Sequence, residues 1–203
     1  EAGHRRALEI LRAKAERGRI SDDQMQEYMD RMVFTTTWSD LASCDLAIEA
    51  VLEIETVKRE VFEMLDRSLP AGSTLASNTS SLRITRLATS TNRRRCVAGL
   101  HFFNPAPVMP LVEVVAGSLT GEAVIDGLAA AVERWGKRPV RCASTPGFIV
   151  NRVARPFYSE SLRLLQEGVA DVATIDAVVT GFRRQRELVR KRHKVVRDRI
   201  GAV

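Results

Sequence analysis

Cysteine is scarce in this chain: Cys44, Cys96 and Cys142 are odd in number, scattered and without C-x-x-C spacing. That pattern excludes a disulfide framework and a sulfur-based zinc site, and it points to a reducing compartment, the cytoplasm. Long apolar runs are missing too. None approaches the roughly 20 residues of a membrane-spanning helix, so no membrane partner is expected. Glu1 to Arg19 is charged and helix-like rather than apolar, so no secretory signal is expected. What remains is a chain of 203 residues, 45% hydrophobic and 28% charged. That composition suits a soluble globular protein with one sizeable core or two modest domains.

The charge is unevenly placed. Residues 182–203 hold nine Arg or Lys against Glu187 and Asp198, a net of +7 within a chain total of +6. Residues 1–181 therefore carry about −1 and give no electrostatic reason to expect nucleic acid. The basic tail could adhere to nucleic acid or anionic lipid, which we read as incidental.

Apolar periodicity organises the rest. Residues 5–19 read as a charged amphipathic helix with Ala7, Leu8, Leu11 and Ala15 on one stripe. Ser21-Asp22-Asp23-Gln24 has the form of a capping box. Asp45 to Val51 reads as a short buried strand, followed by a helix with Val57, Val61, Phe62, Met64 and Leu65 inward. Thr74 to Ser77, Cys96 to Phe103, Leu111 to Val115 and Arg138 to Ala143 read as further strands. Ser80-Ser81 is expected to open a short helix, and Gly121 to Trp135 to form another. Strands alternating with helices predict a mostly parallel α/β sheet. After Thr145-Pro146-Gly147 only helices are expected, the first from Phe148 to Glu167 with a kink at Pro156. The expected domains are 1–144, 145–181 and a divergent basic tail, 182–203.

Two polar residues stand out against this apolar pattern. His101 lies in Leu100-His101-Phe102-Phe103-Asn104-Pro105, and Glu113, twelve positions on, lies in Leu111-Val112-Glu113-Val114-Val115. A histidine and a carboxylate embedded in apolar runs are costly to bury unless they satisfy each other. Paired, they make a base with its orienting acid.

Five segments together resemble the 3-hydroxyacyl-CoA dehydrogenase family. They are Asp45-Leu46-Ala47-Ile48-Glu49-Ala50-Val51-Leu52-Glu53, Ala76-Ser77-Asn78-Thr79-Ser80-Ser81-Leu82, Gly99 to Met109, Leu111 to Val115, and Ser144 to Arg152. Their order and spacing make the resemblance specific, over about residues 5–180. Trp135 to Cys142 and Val153 to Glu160 look most like the branch that oxidises 3-hydroxyadipyl-CoA in phenylacetate catabolism; 3-hydroxybutyryl-CoA is the other expected substrate.

The resemblance implies a Rossmann-like NAD-binding domain, a helical substrate and dimerisation domain, and oxidation of an acyl-CoA 3-hydroxyl with NAD as cofactor. It implies His101 as general base or acid, Glu113 as its orienter, and Ser80 and Asn151 as substrate contacts. Glu53, Lys58, Ser80 and Asn104 are implied to border the cofactor. From the residues alone other readings stay open. Ser80 suits a helix N-cap, with Ser81 the cap if Ser80 is functional. Asn151 suits a structural bond, Asn104 a turn before proline, and Glu53 with Lys58 an exposed helix start. Arg17 or Arg19 meets a CoA phosphate or belongs to a solvated face.

The sequence also departs from the family pattern. No G-x-G-x-x-G occurs, so the sheet is expected to lack its first βαβ unit with the pyrophosphate turn and ribose carboxylate. After Gly181 the family's further helices are not recognisable, so the all-α domain is expected to be incomplete, and a family member's homodimer surface with it. Little turnover is expected of such a chain alone. The alternatives are a non-catalytic remnant that binds acyl-CoA or a full-length relative, and a nucleic-acid binder acting through the tail.

Overall fold

The computed structural model describes residues 2–181, and in it the apolar segments between 45 and 143 form one five-stranded sheet. The strands are β1 (Leu46–Glu49), β2 (Thr74–Ser77), β3 (Val97–Phe102), β4 (Leu111–Ala116) and β5 (Arg138–Ala143). Around them lie the helices α1 (Ala2–Glu16), α2 (Asp22–Asp30), α3 (Glu55–Ser68), α4 (Ile84–Ala88) and α5 (Glu122–Arg134). The order across the sheet is β1-β2-β3-β4-β5, parallel at every junction except β3 with β4. The α/β alternation read in the sequence is thus a mostly parallel, Rossmann-like sheet.

Alternation along β3 and β4 sorts the core into two layers. Leu100, Val112 and Val114 point to one face and are buried with Ile125, Leu128 and Val132 of α5. The opposite face carries Val97, Gly99 and Val115 toward α4, where Ile84 and Leu87 are fully buried. Gly99 is a packing requirement there. A Cβ on it would stand 2.7 Å from the Cβ of Val115 and 3.0 Å from Cδ1 of Ile84. Because the nearest atom belongs to the paired strand, Gly99→Ala is expected to destabilise the fold by about 1–3 kcal/mol, read as a lower urea midpoint.

Two expectations need correction. The segment 45–51 is not a buried strand: β1 is at the sheet edge, and Ile48 and Val51 are exposed. An edge strand has a neighbour on one side only, so apolar content in a short run does not report burial. Nor do Ser80 and Ser81 start a helix. α4 begins at Ile84 after Arg83, and residues 80–83 form an irregular turn. The capping box is present, with Ser21 Oγ accepting from Gln24 N and Gln24 Oε1 from Ser21 N.

α3 ends on an arginine clamp. Arg93 donates to the carbonyls of Asp66 (2.6 Å) and Leu69 (3.0 Å), at the end where a helix leaves carbonyls without intrahelical partners, and to that of Pro70 just beyond. Its Nε also donates to Asp66 Oδ1 at 2.7 Å, and Asn92 donates twice to the other oxygen. Burial acts to raise the Asp66 pKa, but the bonds from Asn92 and Arg93 outweigh it and hold the carboxyl below its ordinary 3.8. A depressed folded pKa contributes stability that is full above the unfolded value and lost as pH falls through the folded one. Asp66→Asn is therefore expected to lower stability at neutral pH and to narrow the gap from wild type as the solution is acidified below about pH 4, followed by urea titration at each pH.

The chain divides into two units, 1–144 and 145–203, the second described as far as residue 181. The second contains α6 (Val150–Gln166) and a helical segment over 172–181. Its entry turn places Gly147 at φ +79° and Phe148 at φ 45°, both left-handed, and a side chain on Gly147 would be strained. α6 runs on past Pro156 without a break. The expectations for 182–203 lie outside the described residues.

Candidate active site

The antiparallel junction explains why residues twelve apart meet. In the register of β3 and β4, His101 is directly opposite Glu113, as Gly99 is opposite Val115. Side chains opposite each other on one face are nearest neighbours. His101 Nδ1 lies 2.7 Å from Glu113 Oε2, with Glu113 fully buried and His101 nearly so. With the carboxylate accepting, Nδ1 carries the ring proton and Nε2 presents its lone pair. Ser80 Oγ lies 3.2 Å from that Nε2. The His101 ring also meets Phe103 at 4.7 Å between centroids.

Ser80 is held by its neighbours rather than by a helix. Glu53 Oε1 accepts from Thr79 Oγ1 (2.5 Å), Ser80 N (3.0 Å), Ser81 N (3.3 Å) and Ser81 Oγ (3.3 Å). Thr79 Oγ1 in turn accepts from Ser81 N and Leu82 N. Burial works to raise the Glu53 pKa, yet the bonds from Thr79 and Ser80 and the Lys58 charge hold it below the ordinary 4.5. Glu53 is therefore a carboxylate at neutral pH, with its Oε2 3.3 Å from the Lys58 ammonium.

Lys58 differs from an exposed helix start: it is 1% exposed. Its ammonium donates to Glu49 Oε1 at 2.7 Å and Val51 O at 3.2 Å, and stands 3.3 Å from Glu53 Oε2. Glu49, Ser77, Asn78 and Thr79 complete the cluster without having been singled out in the sequence. Asn78 Oδ1 accepts from Phe102 N at 2.8 Å, tying the end of β2 to the end of β3. A signal for Glu49 was there, a carboxylate inside the apolar run Leu46-Ala47-Ile48-Glu49-Ala50-Val51.

Asn104 is exposed and lies in the loop that follows β3, its bond to Pro105 being cis. Lys137 Nζ holds that loop by donating to Ala106 O (2.6 Å) and Met109 O (2.9 Å). Between the loop and α1 runs an open groove of about 820 Å³, lined by Asn104 to Val108 on one side and by Arg5, Arg6, Lys14, Arg17 and Arg19 among others on the second. Asn151 lies in the first turn of α6, in the second unit. The Cys142 thiol on β5 is pushed up to about 11 by burial and the Glu113 carboxylate, which keeps it a thiol rather than a thiolate at neutral pH.

The structure thus gathers Glu53, Lys58, Ser80, His101 and Glu113 at one end of the sheet. The first three strands are parallel and present their carboxyl ends there, followed by Glu53, Ser80 and Asn104. The crevice outside the carboxyl ends of such strands is where doubly wound sheets take nucleotide ligands. A carboxylate and hydroxyl at those ends suit the ribose and amide groups of a nicotinamide dinucleotide.

Comparison with known proteins agrees. Residues 1–145 match the 3-hydroxyacyl-CoA dehydrogenase NAD binding domain, and residues 147–183 match the 3-hydroxyacyl-CoA dehydrogenase C-terminal domain. The chain belongs to the family of NAD-dependent 3-hydroxyacyl-CoA dehydrogenases. It is 47% identical to a 3-hydroxyadipyl-CoA dehydrogenase of Escherichia coli over 83% of this chain and 36% of that protein. It is 40% identical to a probable 3-hydroxybutyryl-CoA dehydrogenase of Bacillus subtilis over 88% of this chain and 62% of that protein. The crystal structure of FadB2 from Mycobacterium tuberculosis superposes with a TM-score of 0.84 at 38% identity, covering 89% of this chain and 65% of that one. The chain therefore spans between about a third and two thirds of the length of these relatives.

Proposed function

We propose that the His101 cluster serves oxidation of a 3-hydroxyacyl-CoA to the 3-oxoacyl-CoA, run in either direction. The observation that carries this reading is the Glu113–His101–Ser80 line, 2.7 Å and 3.2 Å long, running from a buried carboxylate to an exposed hydroxyl. Glu113 fixes the Nδ1–H tautomer and stabilises the imidazolium. His101 Nε2 then accepts the proton of the substrate 3-hydroxyl, and Ser80 Oγ orients that oxygen. NAD+ would supply the hydride acceptor, with Glu53 and Asn104 bordering it and Lys58 reaching it through Glu53. For Asn151, on the second unit, the family resemblance implies a bond to the substrate 3-oxygen, polarisation of the oxyanion-hole kind.

The α1 groove supports an acyl-CoA substrate, since Arg17 and Arg19 can meet phosphate while Ile10, Pro105 and Val108 give apolar contact. The likeness to the E. coli enzyme favours 3-hydroxyadipyl-CoA, with 3-hydroxybutyryl-CoA next. The edge of β1 is where the glycine-rich strand unit of a nucleotide-binding sheet would pair, a role that its exposed Ile48 suits. Exposed Val153, Tyr158 and Leu162 on α6 suit a homodimer contact.

The test is NADH-dependent reduction of acetoacetyl-CoA by the purified chain and by its His101→Ala variant. A rate that falls by about 10²–10⁴-fold in the variant is expected. An unchanged rate would remove His101 from the reaction. Acetoacetyl-CoA affinity without NADH affinity, measured by calorimetry, would favour an acyl-CoA-binding role instead.

A further inference from the structure

The Lys58 ammonium has three protons and three acceptors within 3.3 Å, in Glu49, Val51 and Glu53. It is buried, so its charge acts on these neighbours. Glu49 is the deepest of them, its side chain fully buried. Its Oε1 accepts from Lys58 Nζ at 2.7 Å and from Val51 N at 2.6 Å, and its Oε2 accepts from Ser77 Oγ at 2.7 Å. A buried ion pair of this kind is weak evidence of stabilisation, since desolvation of both charges offsets their attraction. Geometry gives it another use.

Two routes lead from Glu49 to one short segment. Through Lys58 it reaches Glu53, which gathers the amides of Ser80 and Ser81. Through Ser77, whose Oγ accepts from Thr79 N at 3.2 Å, it reaches Thr79, which gathers Ser81 N and Leu82 N. Both routes converge on residues 79–82, the turn that places Ser80 Oγ beside His101 Nε2. That turn has no helical bonds of its own to fix it.

We propose that Glu49 is a positioning residue of the active site, holding the Thr79–Leu82 turn, and with it Ser80, against His101 through Lys58–Glu53 and Ser77–Thr79. This rests on the reading of Ser80 and His101 as groups of the reacting centre. Glu49 touches neither substrate nor cofactor. Its influence is carried by charge on the first route and by hydrogen-bond direction on the second.

The experiment uses the whole 203-residue chain, labelled with ¹⁵N, as wild type, Glu49→Gln, Glu49→Ala, Ser77→Ala and Ser80→Ala. The readouts are the Ser80 and Ser81 amide resonances and the His101 Nε2 resonance at fixed pH, with α5 amides reporting that the fold is intact. Glu49→Gln keeps the shape and loses the charge, so it is expected to move all three resonances while α5 stays in place. Glu49→Ala is expected to move them further, and Ser77→Ala to move the Ser80 and Ser81 amides by a smaller amount. If Glu49→Ala fails to fold, Glu49→Gln and Ser77→Ala decide. Folded variants whose Ser80, Ser81 and His101 resonances stay at the wild-type positions would overturn the proposal, whatever their loss of thermal stability. Ser80→Ala separates the two levels: an unmoved His101 Nε2 there would refute the Ser80–His101 pairing itself, with the Ser80 and Ser81 amides still reporting on Glu49.

Discussion

Glu113→Gln is expected to abolish the small acetoacetyl-CoA turnover expected of this chain, since changing a triad carboxylate to an amide costs about 10⁴-fold in kcat. The reason is the tautomer. Glu113 is fully buried and accepts at His101 Nδ1. A glutamine amide in the same place can donate to Nδ1, which moves the ring proton to Nε2 and removes the lone pair that accepts the substrate proton. The imidazolium would also lose its counter-charge. Steady-state NADH consumption at saturating and limiting acetoacetyl-CoA, compared with wild type, checks this. A fall in kcat of less than tenfold would mean that Glu113 is structural.

Lys58→Met is expected to have the largest effect on stability, a loss of about 3–5 kcal/mol, because it leaves the Glu49 carboxylate buried without its cation. Methionine matches the aliphatic stem of lysine, so the cost is electrostatic rather than a cavity. Adding Glu49→Gln to Lys58→Met removes the stranded charge and should recover much of the loss. A double-mutant cycle on urea unfolding measures that coupling. Additive losses would show that the two side chains do not interact across their 2.7 Å contact.

How far the sequence could be read depended on how local each cause was. β3 and β4 are visible because their apolar residues continue for most of a strand, and Ser21 with Gln24 because a capping box closes within four residues. His101 and Glu113 were visible as polar interruptions of apolar runs. β1 was misread because edge position is a property of the sheet and not of Leu46-Ala47-Ile48. Ser80 and Ser81 resembled helix caps because serine serves equally in a cap and in a turn; the deciding partner, Glu53, lies 27 residues before Ser80. Lys58 looked solvated because lysine usually is, and its burial follows from Glu49 and Glu53 closing on it from the preceding strand end. Glu49 interrupts an apolar run as Glu113 does, but no histidine stood at a matching place to draw notice.

The reversal of direction between β3 and β4 has a consequence for assembly. His101 and Glu113 belong to one contiguous stretch, 97–116, joined by the loop of 103–110. Their meeting asks only that a short loop close, which is fast and entropically light. The approach of Ser80 asks instead that two parallel strands find each other, with the turn and α4 lying between them, a contact of greater sequence separation. In a refolding experiment the imidazole should therefore acquire its carboxylate before it acquires its hydroxyl.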